Sequence, residues 1–150
     1  MSEQTSQRGT IRPGVSGIVR ADGGRLLLQQ RTDNGRWGLP GGAVEYGECV
    51  TDALRREVEE ETGLAVDVGH LIGVYSDPVH EQIVTYPDGN IVHFVSLCFA
   101  CSVRGGKLAL SDETSGVAWF AVDALPTDLY AMHRIRIADA LTGDRAPFIR

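Results

Sequence analysis

Residues 49–62 read CVTDALRREVEEET and are followed by Gly63 and Leu64. The period predicts an α-helix over Cys49 to Thr62, stopped by Gly63. With Glu57 at 0° and about 100° per residue, Val50 falls near 20°, Ala53 near −40° and Leu54 near 60°. These three form the apolar stripe of an amphipathic helix. The stripe then runs into Glu57, Glu61 near 40° and Glu60 near −60°, while Glu59, near 200°, is on the opposite side. Acids three and four apart repel by a few tenths of a kcal/mol even when exposed. Their place in the last turns adds roughly 0.3–1 kcal/mol each against the helix dipole. Partial burial raises the repulsion to about 3 kcal/mol for a pair near 5 Å at a dielectric of about 20. A hard divalent cation removes all three penalties, because carboxylate oxygens are its preferred ligands. A solvated acidic face pairing with Arg55 and Arg56 is the competing reading, and the helix alone leaves both open.

The surrounding charge is equally local. The chain has 150 residues and a net charge of −6. Gly42 to Leu64 holds seven acids and two arginines, hence −5 of that total. The length predicts one domain, with a loose tail over 1–10 and a single domain over 11–150. With 43% hydrophobic residues, the chain can bury a core. The acidic balance argues against a nucleic-acid polymer as partner. No apolar run reaches the roughly 18 residues of a membrane span. Three cysteines and no export signal point to the cytoplasm.

Working outward, Val15–Val19 and Arg25–Arg31 read as strands around the turn Asp22-Gly23-Gly24. Gly35 to Gly47 reads as a glycine-rich loop. Leu64–Tyr75, Gln82–Tyr86, Ile91–Arg104 and Val117–Phe120 read as extended. Gly105-Gly106 reads as a turn that brings Lys107–Leu110 back against the long strand, and Leu129–Leu141 as a second helix. Many strands and two helices predict a mixed α/β domain.

The acidic helix belongs to a longer pattern. Gly42 is followed after five residues by Glu48, and after seven more by Arg56-Glu57-Val58-Glu59-Glu60-Glu61-Thr62-Gly63-Leu64. This resembles the Nudix box, G-x5-E-x7-R-E-U-x-E-E-x-G-U with U a bulky aliphatic, at every defined position. Pro40 and Gly41 extend the likeness upstream. Gln30-Arg31, Trp37-Gly38-Leu39 and Glu113 ahead of Trp119-Phe120 resemble other segments of that family. The resemblance implies an α/β Nudix fold, a mixed β-sheet sandwiched between α-helices. It implies Mg²⁺- or Mn²⁺-dependent hydrolysis of a nucleoside diphosphate linked to another moiety. Carried over by position, Glu57, Glu60 and Glu61 are the metal ligands, with the Gly41 carbonyl as a further one. Arg56 would orient the carboxylates by pairing with Glu48, and Glu57, Glu60 and Glu113 are the candidate general bases. Arg31, Glu48 and His93 are the candidate substrate contacts. A homodimer is expected by analogy. The alternative is a non-catalytic Nudix nucleotide sensor.

A diphosphate is polyanionic, so an acidic cleft attracts it only with a cation in place. The cation polarises a phosphoryl oxygen and neutralises leaving-group charge, and a carboxylate takes the proton of the attacking water. Other residues read as structure. Cys98 and Cys101, three apart in a strand, point to opposite faces and read as packed thiols rather than a metal or redox pair. Cys49 reads as packing near the helix start, and Trp37 and Trp119 as scaffold. The substrate stays open among ADP-ribose-like compounds, nucleotide sugars and (oxidised) nucleoside triphosphates. Pro78, fourteen residues past Leu64, leans faintly to the first.

Overall fold

Central strands buried on both faces set up the architecture. A computed structural model describes residues 9–150. Its strands are β1 (Thr10–Arg20), β2 (Leu26–Arg31), β3 (Trp37–Gly38), β4 (Gly41–Ala43), β5 (Leu64–Tyr75), β6 (Ile83–Thr85), β7 (Ile91–Gly106), β8 (Thr114–Phe120) and β9 (Phe148–Ile149). Its helices are α1 (Val50–Thr62) and α2 (Ala131–Leu141). The nine strands form one sheet along the order β3-β2-β1-β7-β5-β9, with β4 on β1, β6 on β7 and β8 on β2. β1 and β7 run parallel from Thr10↔Val92 to Arg20↔Ser102.

The period of two divides the apolar residues between two cores. Val15, Val19, Leu27, Phe99 and Cys101 pack with Ala53, Leu54 and Val58 of α1. Ile18, Leu26, Leu28 and Cys98 pack with Leu129 and with Ile137 of α2. The run Leu26–Leu28 is therefore buried on both faces. The result is a mixed sheet between helices, the predicted α/β class. Cys98 and Cys101 lie in opposite cores, and the three cysteines are free.

The structure corrects several expectations. Lys107–Leu110 does not pair back on β7. Instead β7 continues through Gly105 and Gly106 and pairs with the start of β5, Leu64 opposite Gly106. The chain then crosses the C-terminal end of α1, where the Ala109 N–H donates to the Thr62 carbonyl at 2.9 Å. The glycines serve close approach rather than a hairpin. A Cβ on Gly106 would stand 2.4 Å from the Gly63 carbonyl oxygen, and one on Gly63 would stand 2.2 Å from that of Lys107. Gly63 also has φ 79°, the left-handed conformation that ends the helix.

The expected loop over 35–47 contains β3 and β4. α2 begins at Ala131, two residues later than expected, while buried Leu129 joins the core. β9 was not foreseen. It lies beside Gly73 and Val74 of β5 and is held by Arg150, whose Nε and Nη2 donate to the Asp139 carboxylate at 2.9 Å each. Of the tail expected over 1–10, residues 1–8 lie outside the described residues, and Thr10 already belongs to β1. Among the described residues no helix is long and apolar enough to cross a membrane.

Candidate active site

The site begins where two glycines let a helix approach a strand. β4 pairs with β1 through Gly14↔Ala43, Val15↔Gly42 and Ser16↔Gly41. A Cβ on Gly41 would lie 2.1 Å from the Val15 carbonyl oxygen, and one on Gly42 would lie 2.6 Å from the Glu57 carboxylate. Only glycines allow both approaches. The carboxylates of Glu57, Glu61 and Glu113 thereby share one cavity of about 330 Å³ with Gly41, Gly42 and Arg31. A larger hollow of about 810 Å³, between Arg12 and the Tyr86–Val92 turn, contains none of the candidate site residues.

Glu61 is the anomaly that the cavity is built around. It is 5% exposed and receives the Gly41 N–H at 3.1 Å. Burial, and after it the charge of Glu57, pushes its carboxyl up to about 9, with a smaller push from Glu113. Burial also raises Glu57, against hydrogen bonds from Glu61 and Arg56. Among the described residues no arginine or lysine forms an ion pair with Glu61; the nearest hub, Arg56, serves the outer side. Its Nε and Nη2 donate to Glu48 at 2.7 and 2.9 Å, and Nη2 also donates to the Ala43 carbonyl at 3.2 Å. Its Nη1 donates to Glu57 at 3.0 Å and to Glu60 at 3.2 Å. The Arg56 guanidinium holds the Glu48 carboxyl down to about 2.

A model of the NUDIX domain matches residues 10–141. The chain belongs to the Nudix family. It is 37% identical over 136 residues to a MutT-like protein of Streptomyces ambofaciens, covering 91% of this chain and 80% of that one. It is 39% identical over 114 residues to an ADP-ribose pyrophosphatase of Methanocaldococcus jannaschii, covering 75% of this chain and 63% of that one. The crystal structure of a MutT NUDIX hydrolase from Burkholderia pseudomallei superposes with a TM-score of 0.71 at 31% identity, covering 86% of this chain and 97% of that one. The chain is thus a Nudix pyrophosphohydrolase.

The Nudix helix differs from the expected wheel. Its buried residues are Ala53, Leu54, Val58, Glu61 and Thr62, so the buried face centres about 60° round from Glu57. Glu61 is inside that face, Glu57 is at its edge, and Glu60 is outside. The Glu60 side chain is 59% exposed, is bonded to Arg56 and does not line the cavity. Among the described residues no three acidic, histidine or cysteine side chains converge closely enough to cage a metal ion. The donor chemistry nevertheless fits a hard divalent cation, its acidic donors being all oxygen, with one carboxylate buried and, among the described residues, in no ion pair.

Of the substrate candidates, Arg31 lines the cavity, where Asp33 accepts from its Nε at 2.9 Å and its Nη2 at 2.8 Å. Glu48 is engaged by Arg56. His93 is elsewhere. It sits between Ile11 and Ile83 on neighbouring strands, with Nε2 2.5 Å from the Ser76 carbonyl oxygen. Gln29 was missed: it lines the cavity, is 5% exposed, and its Oε1 has no partner among the described residues. Extending the period of two from Leu27 to Gln29 and Arg31 finds it.

The Leu39-Pro40-Gly41 approach is pinned from α2, where the Leu39 N–H donates to His133 Nδ1 at 2.9 Å. Burial, and then the charges of Arg136, Arg36 and Arg31, hold this imidazole well below its usual value. The folded chain therefore keeps His133 neutral where the unfolded chain, near pH 6.5, takes up a proton. Stability from this residue is complete above that pH and falls as the solution becomes more acidic. Unfolding free energies of the parent and His133→Gln from urea titrations between pH 7.5 and 5 should converge below pH 6.5, by about 1.4 kcal/mol per pH unit at most. Parallel curves would contradict the assignment.

Proposed function

We propose that the chain uses a divalent cation, Mg²⁺ or Mn²⁺, to hydrolyse the pyrophosphate bond of a nucleoside diphosphate linked to another group. Nudix enzymes generally use divalent metal ions. The observation that carries the proposal is Glu61, buried beside Glu57 and Glu113 and, among the described residues, in no ion pair. Glu57 and Glu61 are the proposed ligands inside the cavity, with the Gly41 carbonyl as a further one, and Glu60 joins them by turning from Arg56 towards the cavity. When bound, the cation polarises phosphoryl oxygens and neutralises leaving-group charge. Arg31, at the mouth, is a donor for phosphate oxygens, and its release from Asp33 accompanies binding. Arg56 fixes Glu57 at the cavity wall and holds Glu60 beside it.

The base must be a carboxylate inside the cavity and free to accept a proton. Glu57 is engaged by Arg56, and Glu60 is engaged and outside. Only main-chain atoms of Glu113 are bonded among the described residues, so Glu113 is the favoured base. The favoured substrate class is ADP-ribose-like, on the strength of the relative named for it. Nucleotide sugars and (oxidised) nucleoside triphosphates are the competitors. A cytoplasmic setting and a homodimer belong to the same reading, the latter checked by light scattering.

The test is a substrate panel with Mg²⁺ or Mn²⁺ and product identification. ADP-ribose should yield two phosphomonoesters, and EDTA should stop turnover. Undiminished hydrolysis in EDTA would refute metal dependence. Tight nucleotide binding without phosphate release across the panel would favour the sensor.

A further inference from the structure

Glu113 stands on a turn whose closing residue is bonded to the Nudix helix. The turn runs from Ser111 to Thr114 and is closed by the Thr114 N–H donating to the Ser111 carbonyl at 3.2 Å. Thr114 is 2% exposed. Its hydroxyl donates to the Glu61 main-chain carbonyl at 3.1 Å and accepts from the Ser111 N–H at 3.0 Å. The Ser111 hydroxyl lies 2.9 Å from it and accepts from the Glu113 N–H at 3.3 Å. On the far side, the Thr32 N–H donates to the Glu113 carbonyl at 3.1 Å. The Thr32 hydroxyl donates to the Asp112 carbonyl at 3.2 Å.

These bonds join three elements. The Glu61 carbonyl lies in the last turn of α1, where carbonyls have no partner within the helix. Thr114 supplies one, so the residue that carries the buried carboxylate is tied through its own backbone to the turn that carries Glu113. Thr32 ties the same turn to the end of β2, next to Arg31. The spacing of Glu113 from Glu57 and Glu61 is therefore set by the buried Thr114 hydroxyl, the half-buried Ser111 hydroxyl and Thr32, not by contact between the carboxylates.

We propose that Thr114, acting with Ser111, is a positioning residue: it fixes Glu113 relative to the Glu57–Glu61 pair and thereby sets both the metal site and the base. This rests on the reading of Glu113 given above. Removing the hydroxyl leaves the Glu61 carbonyl and the Ser111 N–H unpaired and lets the turn pivot on Thr32. A displacement of about 1 Å at a reacting group costs on the order of 100-fold in rate. Loss of an outer partner of a metal ligand weakens metal binding by about 10- to 100-fold.

The experiment is a double-mutant cycle of Thr114→Val with Glu113→Gln, using the full chain. It reads kcat and KM separately, Mn²⁺ binding by the electron paramagnetic resonance signal of free Mn²⁺, and thermal stability. Thr114→Val should lower kcat by about 100-fold with KM within about 3-fold, and weaken Mn²⁺ by about 10-fold. Thr114→Ser, which keeps the hydroxyl, should recover kcat and Mn²⁺ affinity to within about 3-fold of the parent. In the Glu113→Gln background, Thr114→Val should add less than about 3-fold to the loss. If Thr114→Val does not fold, Ser111→Ala runs the same cycle. Additive losses, or Mn²⁺ binding unchanged by Thr114→Val, would overturn the positioning role alone. Parent-like turnover and Mn²⁺ binding in Glu113→Gln would instead overturn the reading of Glu113, and this proposal with it.

Discussion

Glu61→Gln is expected to lower kcat/KM by about 1000-fold or more while making the metal-free protein more stable. The two effects have one origin. Glu61 is 5% exposed and faces Glu57 and Glu113, so its charge is disfavoured by burial and by its neighbours. The amide keeps an oxygen for the Gly41 N–H, 3.1 Å away in the parent. Its N–H can donate to Glu57, with which Glu61 already shares a hydrogen bond. At pH 8 the unfolded chain carries Glu61 ionised while the folded chain must protonate it, so replacing it by a satisfied amide should stabilise the fold on the order of 1–3 kcal/mol. The same change deletes an anionic ligand. Parent and variant should therefore exchange rank. In EDTA the variant melts higher, and in excess Mn²⁺ the parent gains stability that the variant does not. Thermal melts in the two buffers, with steady-state kinetics on the best panel substrate, check this. A variant that melts below the parent in EDTA would mean that Glu61 is not under electrostatic strain.

Glu60 provides the contrast, and with it the measure of what sequence can show. Glu60 and Glu61 are adjacent letters of one motif, yet Glu60 is 59% exposed and bonded to Arg56. The wheel drawn through Val50, Ala53 and Leu54 put both on one face. Three apolar markers fix the centre of a helical face only loosely, and Val58 and Thr62, both fully buried, move it toward Glu61. The helix itself was legible to within a residue because its period and Gly63 agree. The core strands were legible because burial alternates or runs unbroken, as at Leu26–Leu28. The crossing at Gly105-Gly106 was not, since a glycine pair serves a tight turn and a close approach equally well. β9 is two residues long and depends on Arg150 reaching Asp139, a tertiary bond with no local pattern. Thr114 was invisible for a similar reason. Its partner in α1 is 53 residues away, and nothing in the Ser111–Thr114 stretch marks a buried hydroxyl.

Arg56→Lys is the sharper test of how the outer half of the site is organised, because it keeps the charge and changes the geometry. One planar group serves Glu48, Glu57, Glu60 and the Ala43 carbonyl through three nitrogens, at 2.7 to 3.2 Å. Two of its bonds form a fork on Glu48. A lysine offers a single nitrogen with three donors on a flexible stem, and cannot hold the fork and reach Glu57 at once. Glu57 and Glu60 would then be free to rotate, and kcat/KM should fall by about 100-fold. Glu48 reports the event independently of turnover. Its carboxyl is held down to about 2 by Arg56, and carboxyl-carbon resonances followed with pH should place its midpoint higher in the variant, nearer an ordinary glutamate. Were charge alone sufficient, Arg56→Lys would retain activity to within about 3-fold while Glu48 stayed low. A loss of activity with Glu48 still low would assign the guanidinium to substrate rather than to the carboxylates. The predicted pairing, activity lost and Glu48 released together, follows only if Arg56 works by holding the acids in place.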